Sequence, residues 1–202
     1  FDVHIFCPET DSPASRGARK TWNADYLDAD AMREFAKSCD VVTLEFENIP
    51  VEATDLIASC GVALHPGPRS LAISQDRAEE KAFLNRIGIP TAPYEVIESA
   101  ADIPPALKRV GGTGVLKTRR DGYDGKGQWR IGSDRDAQGL NLPDMPLIYE
   151  AFVEFEAEFS VILVRGQDGE IRFWDSTRNS HDHGILATSS LPAGEAIAAQ
   201  VG

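Results

Sequence analysis

Cysteine is scarce in this chain, methionine is scarcer, and basic side chains are outnumbered by acidic ones. The three cysteines, Cys7, Cys39 and Cys60, are odd in number and show no C-x-x-C spacing. They are therefore not a disulfide framework and argue against a cysteine metal site. They read as small, reduced core residues of a cytosolic protein. No apolar run is long enough to span a bilayer, and no stretch reads as a secretory leader. Lys and Arg total 20 against 32 Asp and Glu, a net charge of −12. This balance disfavours a nucleic-acid or anionic-membrane surface, so an anionic substrate must be held by a local basic site. Also missing are a Walker loop (G-x-x-x-x-G-K-S/T), a G-x-S-x-G elbow, H-E-x-x-H and a Cys–His nucleophile pattern. Covalent hydrolase chemistry is without support.

What is present is ordinary globular material, 202 residues with 42% hydrophobic and 26% charged side chains, enough for one large domain or two small ones. The opening third alternates strand and helix. Residues 3–6, 41–46 and 62–64 read as strands. Between them lie a helix capped by Asp28 or Asp30, with Ala31, Phe35 and Cys39 on its apolar face, and a helix from Val51 to Cys60 closed by Gly61. This rhythm predicts an α/β fold with a parallel, doubly wound sheet. The composition breaks at residues 66–68. Asp76 and Glu79 then resemble a capping box for a helix that ends at Gly88. A smaller α+β unit follows, with strands at 94–97, 114–116, 128–131 and 147–149 and a helix over 99–110. Strands at 159–164 and 171–174 flank a turn signal at Gly166, Asp168 and Gly169, and residues 177–184 read as a polar loop.

The strand ending on Lys117 opens into a loop containing Gly122, Gly125 and Gly127, bracketed by Lys117 and Lys126. Closely spaced glycines let backbone N–H groups converge on an anion, so the loop fits a polyphosphate; it fits a glycine-tipped β-hairpin equally well. Between Glu150 and Glu158, four carboxylates alternate with apolar residues, which suits either a purine and ribose clamp or an acidic solvent face. His181 and His183 form an H-x-H pair with no further histidine nearby in sequence, a weak metal signal. Glu45 and Glu47 stand at the carboxyl end of a strand, where open α/β sheets bind ligands.

In this order, Thr43-Leu-Glu-Phe-Glu-Asn-Ile-Pro50, Gln75-Asp-Arg77, Lys81 before Gly88-Ile-Pro90, Val115-Leu-Lys117 and Gly122-Tyr-Asp-Gly-Lys-Gly-Gln128 resemble the ATP-grasp ligase superfamily. Tyr149-Glu150, Glu158-Phe-Ser-Val161 and Asn179-x-His181 before Gly184-Ile-Leu186 extend the resemblance over nearly the whole chain. Within the superfamily the likeness is to the 5-(carboxyamino)imidazole ribonucleotide synthases. Formate-dependent glycinamide ribonucleotide transformylase, a biotin carboxylase-like ligase and a non-catalytic nucleotide binder are the alternatives.

The resemblance implies a partial Rossmann-like N-terminal (pre-ATP-grasp) domain at 1–68, a linker helix at 69–92, a small lid domain at 93–153 and the start of the C-terminal ATP-grasp domain at 154–202. It implies ATP and magnesium as cofactors, bicarbonate and 5-aminoimidazole ribonucleotide as substrates, and a cytoplasmic homodimer. Arg77 and Lys117 would contact the ATP phosphates. Gly122, Tyr123, Asp124, Gly125, Lys126, Gly127 and Gln128 would form the lid loop over the triphosphate, with Tyr123 and Lys126 near the reacting carboxyphosphate. Glu150, Ala151, Phe152 and Val153 would hold adenine and Glu158 the ribose. His181 would reach the nucleotide, and Glu45 would touch the substrate.

Two departures stand out. The family usually has glycine where Asp121 stands. The expected substrate-phosphate turn would precede Phe1, and the magnesium-binding Glu and Asn would follow Gly202. Both ends are thus expected to be cut, and these 202 residues alone are expected to lack turnover.

Overall fold

The structure is a computed structural model, and it describes residues 1–121, 127–137, 140, 142–182, 185–195 and 197. The chain divides into two compact units. The first comprises Phe1–Thr91 with Arg119–Asp121, the second Ala92–Thr118 with Gly122–Gly202.

In the first unit, β1 (His4–Phe6) pairs in parallel with β2 (Lys20–Trp22), and β3 (Val41–Thr43) in parallel with β4 (Ala63–His65). The parallel pairing expected from the alternation is therefore present, as two short ladders. β2 was not anticipated, because three residues entered from a polar loop carry too short a pattern to read. Helix α1 (Ala29–Lys37) starts at Asp28, whose side chain accepts a hydrogen bond from the Ala31 amide. Its apolar stripe buries Met32, Phe35 and Ala36; Cys39 packs only at the margin. Helix α2 (Val51–Ser59) contributes Ala53 and Ile57 to the same core, and Trp22, Val42 and Leu64 supply the strand side. Two further helices follow, α3 (Pro68–Ser74) and α4 (Arg77–Arg86). The break at Pro66 to Pro68 thus leads into α3, with Pro68 in the first turn where its missing N–H costs nothing.

The second unit is built on an antiparallel sheet ordered β5 (Tyr94–Ile97), β8 (Leu147–Ala151), β6 (Gly114–Thr118), β7 (Gln128–Ile131). Helix α5 (Ile103–Val110) ends at Gly111, whose φ of 92° is left-handed. It covers one face of the sheet with Ile103, Ala106 and Leu107 against Leu116, Ile131, Leu147 and Tyr149. The buried Tyr149 hydroxyl is shared between the carbonyls of Gly112 at 2.9 Å and Ile131 at 3.0 Å. Strand alternation sends Leu116 into this core and Lys117 to the opposite face. Between β7 and β8 lies a short helix, α6 (Asp134–Ala137).

The rest departs further from expectation. The strand expected over 159–164 is two strands in different sheets, β9 (Glu158–Ser160) and β10 (Leu163–Arg165). β10 pairs with β11 (Ile171–Phe173) through the expected turn, in which Gly169 has a φ of 87°. The polar loop expected over 177–184 is instead strand β12 (Thr177–Asp182), paired with β9 and with β13 (Ile185–Ser190). Here side-chain hydrogen bonds between strands replace apolar alternation, so periodicity gave no strand signal. Among the described residues no helix is long and apolar enough to cross a membrane.

Gly114 is required by packing. A Cβ built on it collides with the Glu150 carbonyl and lies 2.6 Å from Tyr149 Cζ. Gly114→Ala is expected to cost about 1–3 kcal/mol, read as a lower urea midpoint with an unchanged slope.

Candidate functional site

Lys117 occupies the outward side of β6, directly before the glycine loop. Its Nζ lies 3.0 Å from Glu150 Oε2 on β8, and the two side chains are only 25% and 11% exposed. The register pairs Val115 with Glu150 and Lys117 with Ile148, so the ion pair runs diagonally across one sheet face. Gln128 pairs with Lys117 from β7 and shares that face. The guanidinium of Arg130 stacks 4.3 Å from the Phe152 ring centroid. The amides of Ala151 and Phe152 are already committed, to the carbonyls of Pro93 and Thr113.

Of the glycine loop, Gly122, Tyr123, Asp124, Gly125 and Lys126 lie outside the described residues. Gly127 has a φ of 74°, and its carbonyl accepts the Thr118 amide at 3.0 Å. At the loop's other end, Asp121 has a φ of 61°, the one positive value for a non-glycine residue among those described. Aspartate tolerates this left-handed region better than most residues, which is how it stands where glycine was expected.

Asp121 and its two predecessors belong to the first unit, gathered around the start of α4. Asp76 caps that helix by accepting the Ala78 and Glu79 amides, and it also takes Arg119 Nε at 3.0 Å and Nη2 at 2.8 Å. Arg77 donates its amide to the Arg119 carbonyl and Nη1 to the Asp121 carbonyl. Burial pushes the Asp76 carboxyl upward. The hydrogen bond from Arg119, the two amides and the Arg119 charge outweigh it and hold the group below its ordinary value.

Gln75, just before, donates Nε2 to the carbonyls of Glu47 and Ile49, both at 2.6 Å. This pins the segment entering α2 and shapes a cavity of about 440 Å3 lined by Asn48, Ile49, Glu52, Gln75, Arg120 and Asp121, among others. Glu45 is exposed and is not part of that lining. It lies near Tyr26, whose hydroxyl is pushed up by burial and then by Cys7, Glu9 and Glu45. Sequence reasoning passed over Asn48, Gln75 and Arg120 as cavity residues, although the first two stand in motifs it had singled out.

In the three-stranded sheet, Glu158 Oε1 lies 3.5 Å from His181 Nε2 and 3.2 Å from Asn179 Nδ2. His183 lies outside the described residues. Among the described residues, no group of three or more His, Cys, Asp or Glu side chains is placed to hold a metal ion.

This geometry can be set beside known proteins. A family model described as an ATP-grasp domain matches residues 82–201, and one described as a ribonucleotide synthetase preATP-grasp domain matches residues 1–75. This chain belongs to the ATP-grasp family. It is 44% identical to the N5-carboxyaminoimidazole ribonucleotide synthase of Brucella melitensis, over 96% of this chain and 54% of that protein. Its fold matches the N5-carboxyaminoimidazole ribonucleotide synthetase of Thermus thermophilus with a TM-score of 0.86 and 34% identity, over 99% of this chain and 55% of that one. The Aspergillus clavatus synthase, solved in complex with ADP and 5-aminoimidazole ribonucleotide, matches with a TM-score of 0.76 and 26% identity, over 90% of this chain and 48% of that one. The chain thus spans about half the length of the relatives it matches.

Two outcomes follow for these ATP-grasp residues. Lys117→Met removes the ammonium beside a nearly buried Glu150 and is expected to cost about 1–3 kcal/mol. Lys117→Met with Glu150→Gln should lose less than the sum of the single variants, as a thermal-unfolding double-mutant cycle will read. For Asp76, a lowered carboxyl in the folded state means stability present at neutral pH and lost in acid. The stability gap between the natural protein and Asp76→Asn should therefore be flat from about pH 6 to pH 8 and close below the ordinary carboxylate range. Urea midpoints across pH measure it.

Proposed function

We propose that these residues form the nucleotide grip and part of the substrate pocket of an ATP-dependent carbon–nitrogen ligase. It carboxylates the exocyclic amine of 5-aminoimidazole ribonucleotide with bicarbonate in purine biosynthesis, releasing ADP and phosphate. The observation that carries the reading is the Lys117–Glu150 pair: a cation held by a carboxylate on the sheet face opposite the Leu116 core, at the root of a glycine loop. An otherwise acidic protein presents there a positioned ammonium for a triphosphate.

In this reading Lys117 and Arg77 bind phosphate oxygens. Because two of the three amides over 151–153 are committed, adenine is read by the Val153 N–H and by carbonyl oxygens of the segment. Glu158 accepts from ribose hydroxyls, and His181 approaches the same nucleotide. The loop from Gly122 to Gln128 closes over the triphosphate, with Tyr123 and Lys126 beside the transferring group. The cavity at Asn48, Gln75 and Arg120, together with Glu45, serves the ribonucleotide.

The chemistry is two displacements. A bicarbonate oxygen attacks the γ-phosphorus, the bond to the β-phosphate oxygen breaks, and ADP leaves carboxyphosphate. The substrate amine then attacks the carboxyl carbon, phosphate departs and the amine loses a proton. The protein contributes positioning and charge stabilisation. Magnesium, when bound, would screen the charge of the triphosphate. A cytosolic homodimer belongs to the same reading.

The test has two parts. The 202-residue chain should bind ATP in a titration, with affinity falling at least about ten-fold in Lys117→Met, and should not turn over. Protein carrying these residues at the length of the relatives should release phosphate only when bicarbonate and 5-aminoimidazole ribonucleotide are both present. Turnover with formate and glycinamide ribonucleotide, or with biotin, would overturn the assignment.

A further inference from the structure

Asn179 stands opposite two residues at once. In the ladder it pairs with Glu158 of β9 on one side and Ser189 of β13 on the other. Its side-chain amide is fully used. Nδ2 donates to Glu158 Oε1 at 3.2 Å and to Ser160 Oγ at 2.8 Å. Oδ1 accepts from Thr177 Oγ1 at 3.2 Å and from Ser189 Oγ at 3.0 Å. An asparagine amide has two donor hydrogens and an oxygen with two lone pairs, and here all four are engaged. The orientation follows, because an ionised Glu158 can only accept: turning the amide over would set oxygen against oxygen.

The consequence falls on Glu158. Among the described residues both of its side-chain contacts, from Asn179 and His181, land on Oε1. Neither contact uses Oε2, and the side chain is 41% exposed. The charged and titratable groups at this position, among the described residues, are Glu158 from β9 and His181 from Asn179's own strand. β13 brings only the Ser189 hydroxyl.

We propose that Asn179 is a positioning residue that aims Glu158 and keeps one of its oxygens available for the hydroxyl groups of a nucleotide sugar. It does so through an amide locked by three hydroxyls on three strands. This rests on the reading of Glu158 as the ribose contact. A charge-assisted hydrogen bond from Asn179 to the carboxylate is directional, so losing it costs aim as well as contact. The isosteric Asn179→Asp change is more revealing than a truncation. It replaces a donor with a second carboxylate beside Glu158, and the pair then prefers to hold a proton.

The experiment titrates the protein with ATP and with 2′,3′-dideoxy-ATP and compares the two affinities. The natural protein should prefer ATP. Asn179→Leu should bind ATP roughly ten-fold more weakly, with the preference collapsing toward one. Asn179→Asp should lose the preference near pH 8 and regain part of it in mildly acidic buffer, a recovery that a merely structural role would not give. Should Asn179→Leu not fold, as judged by its melting transition, the Asp variant carries the test by itself. A folded variant that keeps the natural preference at every pH overturns the role of Asn179 alone. A natural protein that binds ATP without preferring it over the dideoxy compound overturns the ribose reading of Glu158, and this role with it.

Discussion

A lysine ammonium and a glutamate carboxylate 3.0 Å apart on a nearly closed sheet face impose the main constraint on the second unit. Removing either charge from water is expensive, and only close geometry offsets that cost. The geometry comes from register. β6 and β8 pair so that residues 33 apart in sequence meet across the ladder, and a slip of one residue would send Lys117 into the α5 core. Gly114 lets the two backbones approach, and Tyr149 ties the far side of the sheet to Gly112 and Ile131. The position of the cation therefore depends on apolar and backbone packing on the opposite face.

The first unit solves a related problem with a different device. Asp76 is at once a helix cap and the anchor of Arg119, so one carboxylate joins the start of α4 to the segment leading into the glycine loop. Arg77 reinforces this with its own amide and guanidinium, both directed at carbonyls of that segment. Four donors meet on or beside two oxygens, which accounts for the lowered Asp76 carboxyl despite its burial. In a protein of net charge −12, such local arrangements are what place a cation at a defined position.

Much of this was visible in the residues themselves. Asp28 or Asp30 announced one helix and Asp76 another, Gly61, Gly88 and Gly111 ended theirs, and Lys117, Glu150, Glu158 and His181 stood out as candidates for a nucleotide site. The strands of the second unit were legible from short segments such as the apolar run Gly114 to Leu116. β12 was not, because Asn179 and His181 find their partners in Glu158, Ser160 and Ser189 on the neighbouring strands, and polar residues in sequence resemble a loop.

The sequence by itself determined the caps, the helix ends, the turn at Gly169 and the residue types available for binding a nucleotide, because these depend on contacts within about four residues. Only the tertiary structure decided which charges meet. Lys117 with Glu150, Arg119 with Asp76 and Asn179 with Glu158 are 33, 43 and 21 residues apart, and nothing local selects one partner over another. Strand register and the fastening of residues 119–121 to the first unit make that choice, since a hydrogen bond or ion pair forms only where the backbone has already brought its two groups within reach.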